Sequence, residues 1–197
     1  QGVSSAASDV YKRQATNGIT HLVDATHPFA AQMSQNAILA CQKTNIPLAA
    51  LTRPQWQKQK ADNWHLVPDI KAAAAALDGA PKRVMLAIGR MHLAQFYNNL
   101  QHFYLLRLVD RPEVPPAFPN QVIEVSRGPF TTAQDTLLLS KYKIDLVVAK
   151  NAGGKAAYTK IEAARQLEIK VIMIERPVIS DRLTFYNPEE VVHWISV

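Results

Sequence analysis

Three short stretches concentrate side chains able to bind anions or move protons. Asp24, Thr26 and His27 fall within four positions of one another, beside Pro28 and Phe29. A carboxylate, a hydroxyl and an imidazole this close suit hydrogen bonding to a polar ligand, and Asp24 or His27 suits a proton relay. They equally suit a plain role, with Thr26 or His27 capping a helix and Asp24 favouring its positive end. The second stretch is Ser126-Arg127-Gly128-Pro129-Phe130-Thr131. Gly128 permits close backbone approach, Arg127 brings a forked cation suited to phosphate, and a helix opening here offers N–H groups to an anion. Thr131 and Gln134 also have capping-box spacing, so a capped helix with a solvated arginine accounts for the same residues. Third comes Lys150-Asn151-Ala152-Gly153-Gly154-Lys155, followed by Tyr158 and Lys160. Its paired glycines suit a ligand, yet it fits neither G-x-G-x-x-G nor G-x-x-x-x-G-K-[ST]. A turn with exposed lysines explains it as well.

Other chemistries find no support. The six histidines never stand at i,i+3 or i,i+4, so no local metal pair exists and no metal is expected. Cys41 lies late in its helix, where the dipole disfavours a thiolate, and reads as a buried structural thiol. There is no G-x-S-x-G elbow. Tyr158 is followed by Lys160 two residues on, not four, which removes the Tyr-x-x-x-Lys pair of sugar-nucleotide enzymes. Trp56, Trp64 and Trp194 are scattered and read as core or interface.

Composition narrows the partners. With 48% hydrophobic and 19% charged residues in 197, the chain is too apolar and too weakly charged for intrinsic disorder. No window approaches the ~20 apolar residues of a membrane span. The net charge of +6 comes from scattered Lys and Arg, with no basic block and no interleaved aromatics, which argues against nucleic acid. An acidic small molecule or a merely solubilising surface remains. One cysteine excludes an intrachain disulfide and favours a reducing, cytoplasmic setting.

Those three stretches need elements to hold them, and the pattern supplies strands alternating with helices. Strands are expected at 19–24, 48–51, 83–88, 103–109, 121–125, 145–149 and 171–174. Helices are expected from Pro28 until Asn45-Ile46-Pro47 stops the first, and at 69–77, 91–98, 131–142, 155–167 and 188–195. In the first helix Phe29, Met33, Ala37, Ala40 and Cys41 should form the apolar face. Such alternation means βαβ units and parallel sheets, an α/β fold whose ligands sit at strand carboxyl ends. Residues 1–14 lack any apolar period and read as a non-native or disordered leader. The Asp78–Pro81 turn reads as the border between a first lobe, 15–80, and a second, 81–197.

Taken together and in this order, DATHPFAAQMSQNA (Asp24–Ala37), LTRPQW (Leu51–Trp56), AIGR (Ala87–Arg90), SRGPFT (Ser126–Thr131) and the stretch from Lys150 to Pro177 resemble the precorrin-6A reductase family of corrin-ring biosynthesis. The resemblance implies two Rossmann-like lobes and NADPH-dependent reduction of one double bond in a polycarboxylate, tetrapyrrole-derived macrocycle, with or without cobalt. Both ligands would be polyanions, which gives the positive charge a use. With those ligands, glycines and helix N-termini at adjacent strand ends place the cofactor at Arg127, Gly128, Pro129, Phe130, Thr131, Lys150, Asn151, Gly153 and Gly154. The macrocycle would then meet Asp24, Thr26, His27, Pro28, Phe29, Lys155, Tyr158 and Lys160. The alternative is a Rossmann-like nucleotide- or anion-binding module without turnover. Family members open with a strand, a G-G-T loop and a helix that have no counterpart here. The first lobe is therefore expected to lack its opening βα unit, to be loosened, and to leave the chain without reductase activity.

Overall fold

The computed structural model describes residues 9–10, 13–14 and 16–197. These form two compact units, one reaching to Pro54 and joined by 177–197, and one of 55–176.

The first unit carries three parallel strands, β1 (Leu22–Asp24), β2 (Leu48–Leu51) and β9 (Leu183–Phe185), in the order β1-β2-β9. Helix α1 (Ala31–Thr44) follows β1, and α5 (Pro188–Ser196) follows β9. Pro28 is not the first helical residue. Ala30 N–H donates to the His27 carbonyl at 2.7 Å, closing a turn that delays the helix to Ala31. The face of α1 turns accordingly. Ser34, Asn36, Ile38, Ala40 and Cys41 are buried, whereas Met33, expected inside, is half exposed. A hydroxyl rather than a thioether faces inward because Ser34 has a buried partner in Asp24. Asn45 ends the helix in the left-handed region, at φ 56°. Of the expected leader, residues 1–8, 11 and 12 lie outside the described residues. Gln14 is buried against α1, accepting from Thr44 Oγ1 at 3.2 Å and donating to Cys41 Sγ at 3.4 Å.

The second unit is a six-stranded parallel sheet in the order β3-β8-β7-β4-β5-β6. Its strands are β3 (Trp64–Val67), β4 (Arg83–Ala87), β5 (Phe103–Leu108), β6 (Gln121–Val125), β7 (Leu146–Lys150) and β8 (Lys170–Ile174). Helices α2 (Ile70–Ala75), α3 (Thr132–Lys141) and α4 (Thr159–Gln166) cover it. Met85, Leu105, Val147 and Met173 pack with Leu139 and Ile161 in one apolar cluster. Strands buried on both faces read as continuous apolar runs, which is why these were legible.

Further boundaries differ from the pattern. Residues 91–98 form a 3-10 turn over Arg90–Phe96 rather than an α-helix. Helix α4 starts at Thr159, not Lys155, because Gly153 and Gly154 adopt φ 71° and 82° and Tyr158 N–H turns back to the Lys155 carbonyl. The border near Asp78–Pro81 falls inside the second unit, since β3 pairs with β8 and 177–197 returns to the first unit, where β9 pairs with β2.

Candidate functional site

In the first unit the Asp24 carboxylate organises the loop after β1. Its Oδ1 accepts from Thr26 N–H at 3.0 Å and from Thr26 Oγ1 at 2.6 Å. Its Oδ2 accepts from Ser34 Oγ and from Arg182 Nη1, both at 2.6 Å. Burial pushes this carboxyl up, but hydrogen bonds from Ser34 and Thr26 and the Arg182 charge outweigh it and hold the group below the ordinary carboxylate value. An ionised, fully engaged carboxylate shapes a loop better than it donates a proton.

His27 stands differently. It is exposed, and its Nδ1 accepts from Phe29 N–H at 3.2 Å, which puts the proton of the neutral ring on Nε2. Thr26, His27 and Pro28 line a cleft of about 450 Å³ with Thr52 and Arg53 after β2 and Tyr186 after β9. The carboxyl ends of all three parallel strands therefore converge on one opening. Arg53 and Tyr186 were not singled out by the sequence reading. The LTRPQW stretch contained the signal for Arg53; nothing local marked Tyr186, because its strand is only three residues long.

In the second unit the chain runs from β4 outward through β5 to β6, then crosses back to β7 on the other side of β4. The strand order reverses between β4 and β7, and such a switch point opens a crevice at the carboxyl ends. The loop from Asn151 to Gly154 leaves β7 at that crevice. Asn151 is clamped to the Trp56 backbone: Trp56 N–H donates to Oδ1 at 2.8 Å, and Nδ2 donates to the Trp56 carbonyl at 3.0 Å. Trp56 Nε1 donates to the Gly154 carbonyl at 2.9 Å, while Arg176 Nε and Nη2 donate to the carbonyls of Asn151 and Ala152. Trp56, read from sequence as core or interface, is a scaffold for this loop.

The loop after β6 ends in the capping box its spacing predicted: Thr131 Oγ1 accepts from Gln134 N–H, and Gln134 Oε1 accepts from Thr131 N–H. Arg127 is exposed and paired with Asp110 at 2.5 Å. Gly128 and Pro129 are exposed, and Phe130 lies beneath the Arg107 guanidinium, 4.4 Å from ring centroid to Cζ.

The residues expected near the start of α4 diverge. Lys155 is exposed. The Tyr158 hydroxyl accepts from Arg165 Nη2. Lys160 turns inward, donating to the Ala157 carbonyl and lying 5.3 Å from the Trp56 ring centroid. Burial and the Arg107 charge lower its ammonium to about 8, with Asp135 partly opposing. Lys150 is lowered by burial, and His92 by burial and the Lys150 charge. Among the described residues no group of three or more His, Cys, Asp and Glu side chains could hold a metal, and no helix is long and apolar enough to cross a membrane.

Parallel strands with polar loops at their carboxyl ends, a reversal of strand order and a scaffolded glycine loop define a Rossmann-like α/β protein. The family model described as "Precorrin-6x reductase CbiJ/CobK" matches residues 4–196, and the chain belongs to that family of oxidoreductases in cobalamin biosynthesis. It is 50% identical over 179 residues to the precorrin-6A reductase of Rhodobacter capsulatus, covering 91% of this chain and 71% of that one. A cobalt-precorrin-6A reductase of Priestia megaterium is 33% identical over 187 residues, covering 90% and 73%. A solved structure described as CobK precorrin-6A reductase superposes with a TM-score of 0.94 at 48% identity, over 99% of this chain and 80% of that one. An oxidoreductase of this class draws on a nucleotide cofactor.

Proposed function

We propose, against the expectation of an inactive chain, that it reduces one double bond of precorrin-6A, or of its cobalt-containing counterpart, using NADPH. The observation carrying this reading is the Asn151–Gly154 loop, fixed at the switch point by Trp56 and Arg176. Its geometry suits a dinucleotide: Gly153 and Gly154 adopt positive φ, which lets backbone lie close to a phosphate without a Cβ in the way. Asn151 shapes this loop rather than binding, since its amide is engaged with Trp56. Lys150 and the loop from Arg127 to Thr131 add positive charge and backbone donors in the same unit. The dihydronicotinamide supplies the hydride; the chain supplies orientation and charge compensation.

The cleft of the first unit suits the macrocycle rim. Arg53 presents a cation to acetate and propionate carboxylates, and Thr26 and Tyr186 bring hydroxyls. His27 Nε2–H is the group suited to deliver the proton that accompanies the hydride, and Asp24 holds its loop in place. Of Lys155, Tyr158 and Lys160, only Lys155 is exposed.

The test is anaerobic incubation of the chain with NADPH and precorrin-6A, and separately with the cobalt form. Loss of the dihydronicotinamide absorbance together with a product heavier by two hydrogens is expected with one of them. A folded chain that binds macrocycle and nucleotide yet forms no reduced product with either substrate would overturn the reading.

A further inference from the structure

Read outward from one edge, the second sheet runs β6-β5-β4-β7-β8-β3, all parallel. This is the spatial order of a dinucleotide-binding sheet in which β4 plays the first strand and β5 the second, with the last position filled by the strand that precedes β4 in the chain. Gly89, at φ 81°, follows β4. Roughly 20 residues further on in such folds, at the end of the second strand, an acidic side chain takes the adenosine 2′-hydroxyl or an arginine takes a 2′-phosphate. Asp110 stands at that place, just beyond β5.

Asp110 does not stand alone. A pocket of about 260 Å³ joins it to Gly89, Arg90 and Arg107. Arg90 is exposed, and the pocket is open where Gly89 lacks a side chain, with nothing within 4 Å of an added Cβ. Arg107 binds Asp135 through Nη2, but its Nε is buried without a hydrogen-bond partner. The Asp110 carboxylate is paired with Arg127. A bare aspartate here would repel a phosphate and welcome a hydroxyl; with Asp110 offset by Arg127 and Arg107 offset by Asp135, the charge of Arg90 and the unpaired Arg107 Nε–H remain for the dianion.

We infer that this pocket receives the adenosine 2′-phosphate, with Arg90 and Arg107 contacting it, and that Arg127 acts by neutralising Asp110. The inference rests on the NADPH reading above and deepens it. Arg127 becomes a residue that selects the phosphorylated dinucleotide, rather than a ligand of the pyrophosphate.

Calorimetric titration of the full chain with NADPH, NADH, 2′,5′-ADP and 5′-AMP tests it. The unaltered chain should bind 2′,5′-ADP about tenfold or more tightly than 5′-AMP. Arg90→Ala should erase that ratio while moving 5′-AMP affinity by less than about twofold. Arg127→Ala should lower the ratio and strengthen NADH binding, and Asp110→Asn added to Arg127→Ala should restore part of the preference. Because Arg90 and Arg127 are exposed, these variants should keep the parent's circular dichroism. Equal loss of both probes in Arg90→Ala, or no loss in either, would overturn the inference. So would equal binding of NADPH and NADH by the unaltered chain, which leaves the dinucleotide reading standing. A chain that binds none of the four nucleotides overturns that reading itself.

Discussion

Arg182 and Asp24, 158 residues apart in the chain, form a buried ion pair at 2.6 Å that ties the approach to β9 to the end of β1. Removing one partner of such a pair strands the other's charge in a poorly solvated place. Arg182→Ala should therefore destabilise the first unit by about 3 kcal/mol, read from urea unfolding. The carboxyl is depressed in the folded state, so its contribution is complete above the unfolded carboxylate value and is lost as pH falls through the folded one. Stability of the parent should drop in acid over that window, whereas Asp24→Asn, already lacking the charge, should show a shallower slope there.

Lys160 carries the opposite sign. Its folded-state value of about 8 lies below the ordinary 10.5, so between them the folded chain holds fewer protons than the unfolded one. Stability should rise with pH across that interval, and Lys160→Met should abolish the rise. Direct titration of the labelled ε-amine by NMR checks the value independently; an ordinary lysine titration would contradict the buried placement.

The Asn151 clamp on Trp56 makes a separate case. Asn151→Asp removes the donor to the Trp56 carbonyl and adds a charge near a buried backbone, at an expected cost of about 1–3 kcal/mol in thermal or urea unfolding. Trp56→Phe keeps an aromatic ring but loses the bond to the Gly154 carbonyl. It should weaken NADPH binding several-fold with little change in melting temperature, as expected of a positioning residue.

For His27 the expected effect falls on turnover. His27→Ala should lower kcat by about 100-fold, the scale of general acid catalysis, while a nucleotide titration stays near the parent value. Collapse of NADPH affinity with macrocycle affinity intact would mean that the two loops exchange roles.

Much of the second unit was legible because a parallel sheet covered on both faces needs uninterrupted apolar strands. The runs at Val84–Leu86, Tyr104–Leu106, Leu146–Ala149 and Val171–Ile174 satisfy that need by themselves. The capping box at Thr131 was legible for a similar reason, since both of its hydrogen bonds close within three residues. Strands β3 and β9 were not. Each lies at a sheet edge; β3 buries only its two end residues and β9 none, so neither leaves an apolar run to read.

The chemical loops divide along the same line. Their residue types and their position after strands were written in the chain, because a strand, a turn and the start of a helix are local events. Which side chains stay available and which are consumed was decided by partners far away in sequence. Asp24 is engaged by Arg182, Asn151 by Trp56 across 95 residues, and Lys160 is drawn inward beside Trp56 and Arg107. Local spacing encodes what a residue can do, whereas burial and the pairing of charges depend on which strands lie side by side, and only the folded sheet sets that order.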